Sequence, residues 1–436
     1  MIEPYDWQLP AIERGVEVLS EHNFLHNASG TGTGKTVCSL QVCKELGLVP
    51  LVVCPKSVIT AWCETAKDMG VPLYGVVNPQ RLLYKNPYYN TKTRWSLPPS
   101  VNCVIDDEVH LHASGESSKS GKAIAELKAY PHLKTMTLSA TLADSPLKLR
   151  TVGFLAGLHD YNKTSWIKFQ LAHNCFLRPG TRSMMFSKFG AKSKIAINNI
   201  AASLRPYLVR IDSDTVPGFP KSLNTAKLFD LDSVAEAEFN RIMAEMDAAL
   251  KVTGNPNPLV EALRYRQRTE LLKTPILLDC VIEALEEGLA PVVFVQFRDT
   301  LEELQTQLMA RGISCSRIIG GQAREIRDLE LKTFQEDKTD CMLATAAAGG
   351  VGISLHALKG SKIRNRTSFI SPGYSASDLV QALGRIQRAN GRNVVQTIVL
   401  CAHTIEQKIY SNLQGKLARI NTINDADLLA PEKGET

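Results

Sequence analysis

Ten cysteines are spread through the 436 residues, yet no two of them form a C-x-x-C pair. A structural zinc site therefore has no ligand spacing to build on. Most of the ten sit in apolar runs, where a reduced thiol acts as a small hydrophobe. That pattern leads us to expect buried thiols in a reducing, cytoplasmic compartment. No apolar run approaches the ~20 residues a membrane helix needs, so no membrane partner is expected. Met1-Ile2-Glu3-Pro4 lacks a basic stretch followed by an apolar one, and no secretory leader is expected. Net charge is small, +6, but unevenly placed. Ten Lys and Arg between Asp160 and Thr225 face only Asp160, Asp212 and Asp214, a local excess of 10 − 3 = +7. Such a segment suits a polyanion. A merely solvated surface is the competing reading.

What is present centres on Ser29-Gly30-Thr31-Gly32-Thr33-Gly34-Lys35-Thr36. Gly32, Thr33 and Gly34 shape a loop whose backbone N–H groups can wrap a phosphate. The Lys35 ammonium can reach β/γ oxygens, and the Thr36 hydroxyl can ligate Mg²⁺. Ser29 departs from the strict pattern, which opens with glycine. Upstream, Gln8 carries a donor and an acceptor and could read an adenine edge, with Tyr5 or Trp7 against the base.

Beyond the loop the chain alternates strands and helices. Leu51–Val53, Val71–Val77, Val101–Ile105 and Thr135–Leu138 read as buried parallel strands. A helix is expected over Ser145–Gly157 and a short strand over Leu228–Leu231. A second alternation follows Pro275, with strands at Val292–Phe297, Cys315–Ile319, Cys341–Thr345, Thr367–Ile370 and Val394–Leu400. That half holds no glycine-rich lysine loop. The reading is α/β, with two doubly wound parallel-sheet domains. Domains are placed at 1–225 and 273–436, with a helical linker region at 226–272.

Strand ends carry the chemistry. Val101–Ile105 runs into Asp106-Asp107-Glu108-Val109-His110. Paired carboxylates after a buried strand are costly unless they face a metal or a cleft. Asp107 is placed to hold Mg²⁺ and Glu108 to deprotonate the attacking water, with Asp106 as the competing acid. His110, Ser139 and Thr141 could couple this site to its neighbours; a structural histidine and a helix cap are the bland alternatives. Lys56 and Asn78 follow strands and could meet backbone phosphates, or simply cap helices. An expected helix Ala376–Ala389 puts Arg385 and Arg388 on one face, able to reach a γ-phosphate.

These blocks resemble, in order, the motifs of superfamily-two helicases and translocases. Trp7-Gln8 is similar to the glutamine motif and Gly32–Thr36 to motif I. Cys54-Pro55-Lys56 is similar to motif Ia, Asp107-Glu108-Val109-His110 to a DExH motif II, and Ser139-Ala140-Thr141 to motif III. Phe294–Phe297 resembles motif IV, Thr345–Gly352 motif V, and Gln381–Arg388 the Q-x-x-G-R-x-x-R of motif VI. Val53-Cys54-Pro55-Lys56-Ser57 with Trp62, and Gly349–Leu355, resemble SWI/SNF-like translocases. Leu138-Ser139-Ala140-Thr141 keeps the general helicase form, and the long insertions of chromatin remodellers are absent.

The resemblance implies two tandem RecA-like domains with an ATP cleft between them. ATP and Mg²⁺ are the implied cofactors, held by Gln8, Gly32, Thr33, Gly34, Lys35, Thr36, Asp107 and Gly352. Hydrolysis would use Glu108, Asp107, Lys35, Arg385 and Arg388. Coupling would pass through His110, Ser139, Thr141 and Gln381. Nucleic acid would lie against Lys56, Asn78, Gln296, Thr345 and the basic segment. The expectation is an ATP-dependent motor on duplex, forked or branched DNA, acting as a monomer and resembling compact phage or viral enzymes of a host cytoplasm. An RNA helicase and a nucleotide-switched binding protein are the alternatives.

Overall fold

A computed structural model describes residues 2–424 apart from 85, 93, 116, 189, 252–257 and 350–352. The chain divides into two compact units, Met1–Pro217 with Gly415–Thr436, and Gly218–Gln414. Residues 226–272, read from the sequence as a linker region, fall inside the second unit, and the chain from 415 onward falls with the first.

The first unit is built on β1 (Phe24–Asn27), β2 (Pro50–Val53), β3 (Gly75–Val77), β6 (Cys103–Asp107), β7 (Lys134–Leu138) and β10 (Leu208–Val209). Two small antiparallel hairpins stand apart, β4 (Tyr89–Asn90) with β5 (Arg94–Trp95), and β8 (Cys175–Leu177) with β9 (Met184–Phe186). The six-stranded sheet runs β10-β1-β7-β6-β2-β3, with every pairing parallel. Alternate residues feed two apolar layers. Leu51, Val53 and Val104 enter one, while Val52, Cys103 and Ile105 enter the other. A sheet covered on both faces needs near-continuous apolar strands, which is why β2 and β6 stood out in the sequence.

The second unit has β11 (Ser222–Phe229), β12 (Ala290–Val295), β13 (Cys315–Ile318), β14 (Cys341–Thr345), β15 (Arg366–Ile370) and β16 (Val394–Cys401). Their order is β11-β16-β15-β12-β14-β13, again all parallel. The expected fold class holds in both units.

Several boundaries differ from the sequence reading. The strand expected at Val71–Val77 is confined to Gly75–Val77. The helix expected over Ser145–Gly157 is a 3₁₀ turn, Pro146–Lys148, followed by Arg150–Leu155. The strand expected at Leu228–Leu231 is the eight-residue β11. It is an edge strand with several exposed side chains, so it lacked the apolar run of its neighbours.

His26 and His159 lie buried in the first unit. His26 on β1 has Nδ1 2.8 Å from Thr137 Oγ1. Burial first, then the Lys35 charge, push it down to about 3. His159 packs among Trp166 and Phe169, and burial pushes it down to about 4. Both are neutral when folded, whereas the unfolded chain protonates them below about 6.5. Each of these two therefore takes stability away as pH falls from about 6.5 toward 4, with a slope of up to about 1.4 kcal/mol per pH unit. Urea unfolding of the parent and of His159→Gln across that window checks it: the parent is expected to lose stability relative to the variant as pH falls. Parallel pH profiles for the two proteins would contradict the assignment.

Candidate active site

The phosphate-loop candidate leaves β1 at Asn27 and ends where the helix Lys35–Glu45 begins. Gly34 caps that helix at φ 81°, and Gly32 sits at φ 78°. A Cβ on Gly34 would come 2.4 Å from Gln8 Nε2. The positive φ favours glycine there, and a Cβ would also displace the Gln8 amide from the loop. Gln8 is buried; its Nε2 donates to Thr33 O at 2.8 Å, and its Oε1 accepts from Tyr5 N–H at 2.9 Å. Gln8 thus ties the chain before the first helix to the loop. Its amide has capacity for one more donated and one more accepted bond. Tyr5 and Trp7 stack on each other at 5.3 Å. Thr33 Oγ1 donates to Gly30 O at 2.8 Å, bracing the loop from inside. Lys35 Nζ donates to Ser29 O at 3.0 Å and Gly30 O at 3.1 Å.

Ser29 has a structural role. Its side chain is fully buried, and its Oγ accepts the Ile211 N–H at 3.0 Å just past β10. Gly30 N–H donates to Ile211 O at 3.0 Å, and Ser29 N–H to Asn27 Oδ1 at 3.1 Å. The departure from glycine stitches the loop to the edge of the sheet.

The carboxylates end β6. Asp107 Oδ2 accepts from Trp62 Nε1 at 2.9 Å, with Trp62 itself buried. Burial, then the charge of Glu108, push the Asp107 carboxyl up to about 7, against the Trp62 hydrogen bond and the Lys35 charge. Glu108 adopts φ 56°, a left-handed conformation rare for a residue with a Cβ. Such strain persists where surrounding structure fixes it. Glu108 Oε2 lies 3.3 Å from His110 Nδ1, which is 2.7 Å from Ser139 Oγ. Ser139 Oγ also accepts from Thr141 N–H at 3.0 Å. Burial holds the His110 pKa below its ordinary value, and the Lys35 charge adds to that against the pull of Glu108. The structure thus joins Glu108, His110, Ser139 and Thr141 in one polar chain, with Lys35 and Asp107 beside it.

Asp106, the competing acid, is committed elsewhere. Its Oδ1 lies 2.9 Å from His112 Nε2, and both side chains are buried. Burial disfavours the imidazolium, but Asp106 outweighs it and raises the His112 pKa. His112 was missed by the sequence reading; the second histidine of D-D-E-V-H-L-H was its only signal.

Other expected residues scatter. Lys56 and Ser57 are exposed after β2. Asn78 Oδ1 accepts from Arg81 N–H at 2.7 Å, so this side chain caps a helix. Thr36 is partly exposed at the helix start.

In the second unit the helix expected to reach Ala389 stops at Leu383, so Arg385 and Arg388 do not share a helical face. Gly384 ends the helix, and the two guanidinium groups converge by another route. Arg385 Nη1 and Arg388 Nη2 each donate to Ile353 O at 3.0 Å, and Arg385 Nε donates to Gln381 O at 2.9 Å. Arg385 and Gln381 are buried. Gly352, expected to touch nucleotide, lies outside the described residues. Thr345 is buried at the end of β14.

Gln296 follows β12. Its Nε2 donates to Ser371 O at 2.8 Å, and its N–H donates to the buried carboxylate of Glu270 at 2.9 Å. Glu270 also accepts from Phe297 N–H at 3.0 Å, Thr300 Oγ1 at 3.1 Å and Ser371 Oγ at 2.5 Å. Lys273 is fully buried and donates to Ser371 Oγ, Val399 O and Glu406 Oε1. The sequence reading missed this network, because isolated Glu and Lys on a helix look solvated.

The helicase conserved C-terminal domain matches residues 273–390. A protein of Acanthamoeba polyphaga mimivirus named "Putative ATP-dependent RNA helicase L364" is 30% identical over 95% of this chain and 82% of its own length. A Danio rerio protein named "Chromodomain-helicase-DNA-binding protein 1-like" is 32% identical over 34% of this chain and 14% of its own. The solved Sulfolobus solfataricus SWI2/SNF2 ATPase core in complex with dsDNA aligns over 98% of this chain and 95% of its own at 18% identity, with a TM-score of 0.39.

Restoring the glycine of the common loop pattern is expected to harm this chain. Ser29→Gly removes the acceptor of the Ile211 N–H and leaves a buried donor unpaired, a loss of about 1–3 kcal/mol. Urea unfolding of Ser29→Gly against the parent checks this, and equal stability would refute the role given to Ser29.

Proposed function

Because this chain belongs to the superfamily-two helicases, we propose that it is an ATP-driven motor of SWI/SNF-like kind acting on DNA with duplex or forked character. The observation that carries the reading is the convergence of Lys35, Asp107, Glu108, His110 and Ser139 at the ends of adjacent strands. The loop before Lys35 and the helix N-terminus after it suit the β- and γ-phosphates of ATP. Mg²⁺ fits the hard oxygen donors of Thr36 and Asp107 and would neutralise phosphate charge there. Trp62 fixes one oxygen of Asp107, which keeps this carboxylate oriented. Glu108 orients and deprotonates the attacking water. His110 and Ser139 link Glu108 to the segment through Thr141, so a change at the γ-phosphate has a route outward. In the second unit Arg385 and Arg388, held together on Ile353 O, are the proposed catalytic arginines. Lys56, Asn78, Gln296 and Thr345 are the proposed nucleic-acid contacts, with the basic segment.

DNA is favoured by the fish relative's printed name and RNA by the mimivirus one. The acid-free charge between Asp160 and Asp212 suits either. Phosphate contacts carry no sequence reading, so binding is expected to be non-specific and salt-sensitive.

Two measurements test this. Hydrolysis is expected to vanish in Lys35→Ala and in Glu108→Gln, and near-normal turnover in either would refute the site. The parent's ATPase rate is expected to rise with duplex and forked DNA; a rise with RNA alone would transfer the chain to the second reading.

A further inference from the structure

The hairpin of β8 and β9 is not accounted for by nucleotide chemistry. It leaves the first unit between the helices Lys163–Ala172 and Ala191–Leu204. In register, Cys175 pairs with Phe186, Phe176 with Met185, and Leu177 with Met184. Cys175 and Phe186 face the core. On the outer face Phe176 is 43% exposed and Met185 41%; Leu177, on the opposite face nearer the tip, is 59% exposed. Exposed apolar side chains on a small hairpin are unfavourable unless something covers them.

The hairpin is firmly rooted. Ser187 N–H donates to Asn174 O at 3.2 Å, Asn174 Nδ2 donates to Ser193 Oγ at 3.0 Å, and Ser193 Oγ donates to Ser187 O at 2.6 Å. Its tip is a tight turn through Pro179-Gly180, with Gly180 at φ 71° and Thr181 N–H on Arg178 O at 3.1 Å. Proline then glycine at the centre is the sequence of a type II turn. That turn presents Arg178 and Arg182, both exposed, on either side of the tip.

The surrounding charge identifies the occupant. Nothing acidic stands between Asp160 and Asp212, while nine Lys and Arg do. Lys188, Lys192 and Lys194 are exposed beside the hairpin. Lys188 and Lys148 are close enough to Lys416 for their charges to act on it, which carries the basic track to the turn after Ser139 and Thr141. β9 packs against that same turn, Pro146–Lys148.

We propose that this hairpin is a base-contacting element for single-stranded nucleic acid. Arg178 and Arg182 take backbone phosphates, and Phe176 with Met185 takes the face of an unstacked base. Cations beside exposed aromatic faces are the pairing that binds single strands without sequence preference. Nine cations and no acid over this stretch match the regular negative charge of a phosphate backbone. A fork supplies what the hairpin needs, an unpaired base next to a duplex. Its seat on the turn that follows Thr141 lets the nucleotide site and the strand contact move together.

The inference rests on the motor reading, and the test keeps the two apart. Fluorescence anisotropy is measured on the full-length protein with a labelled single-stranded oligonucleotide and with a blunt duplex. Phe176→Thr/Met185→Thr, which keeps strand-forming residues, is expected to weaken single-strand binding about tenfold or more. Blunt-duplex binding is expected to be unchanged, and Phe176→Tyr is expected to bind like the parent. Arg178→Ser/Arg182→Ser is expected to lower the single-strand salt slope by about 1.4, from two phosphates at about 0.7 each. Unchanged single-strand affinity in the Thr double variant overturns the proposal, as does an equal loss on blunt duplex. A change in its mass in solution would mark the face as a self-association surface and also overturn it. A parent that binds no nucleic acid sinks the motor reading itself.

Discussion

One rung of the first sheet sets the site. Asn27, Leu138 and Asp107 are register partners across β1, β7 and β6. Three parallel strands therefore end level, and the chain after each one opens on the same edge. The phosphate loop follows Asn27, Ser139 follows Leu138, and Glu108 follows Asp107. Parallel strands cannot be joined by tight turns, so each connection crosses over through a longer segment. That topology brings residues 29, 107 and 139 together although about 100 positions separate the extremes.

Placing charge there is costly, and the surrounding residues manage the cost. The Asp107 carboxyl sits against burial and the neighbouring Glu108, and only Trp62 and Lys35 favour its charged form. Its neighbour Asp106 takes the other solution, a direct partner in His112. Two adjacent aspartates thus play different parts. One is ion-paired with a buried imidazole, and the other accepts from the Trp62 N–H. The same division appears in the second unit. There Glu270 and Lys273 are wholly satisfied by Ser371, Glu406 and backbone groups, and they fix the strand end that carries Gln296. Buried polar groups are tolerable when every member has a partner.

The sequence exposed the parts that obey short-range rules. β2, β6 and β14 are apolar runs closed by polar residues, and the loop before Lys35 is punctuated by glycine. The candidate residues at strand ends could be picked out for that reason. β1 was not, since Phe24-Leu25-His26-Asn27 is short and half polar. β11 is an edge strand and lost its apolar signature to solvent. The overlong helix at Ala376 followed an apolar pattern that continues past Gly384, where the chain turns to bring Arg385 and Arg388 onto Ile353 O. Ser29 looked like a blemish in a motif because its partner, Ile211, lies 182 positions away. Long-range partners leave no trace in local spacing.

The central claim is that the level strand ends of the first unit form a nucleotide-hydrolysing site. Asp107 is its cleanest probe, since asparagine keeps the shape and an oxygen that can accept from Trp62. Urea unfolding and ATP turnover measured in parallel on Asp107→Asn test it most directly. The account predicts a fold about as stable as the parent's with hydrolysis lost. Parental turnover in that variant would contradict it.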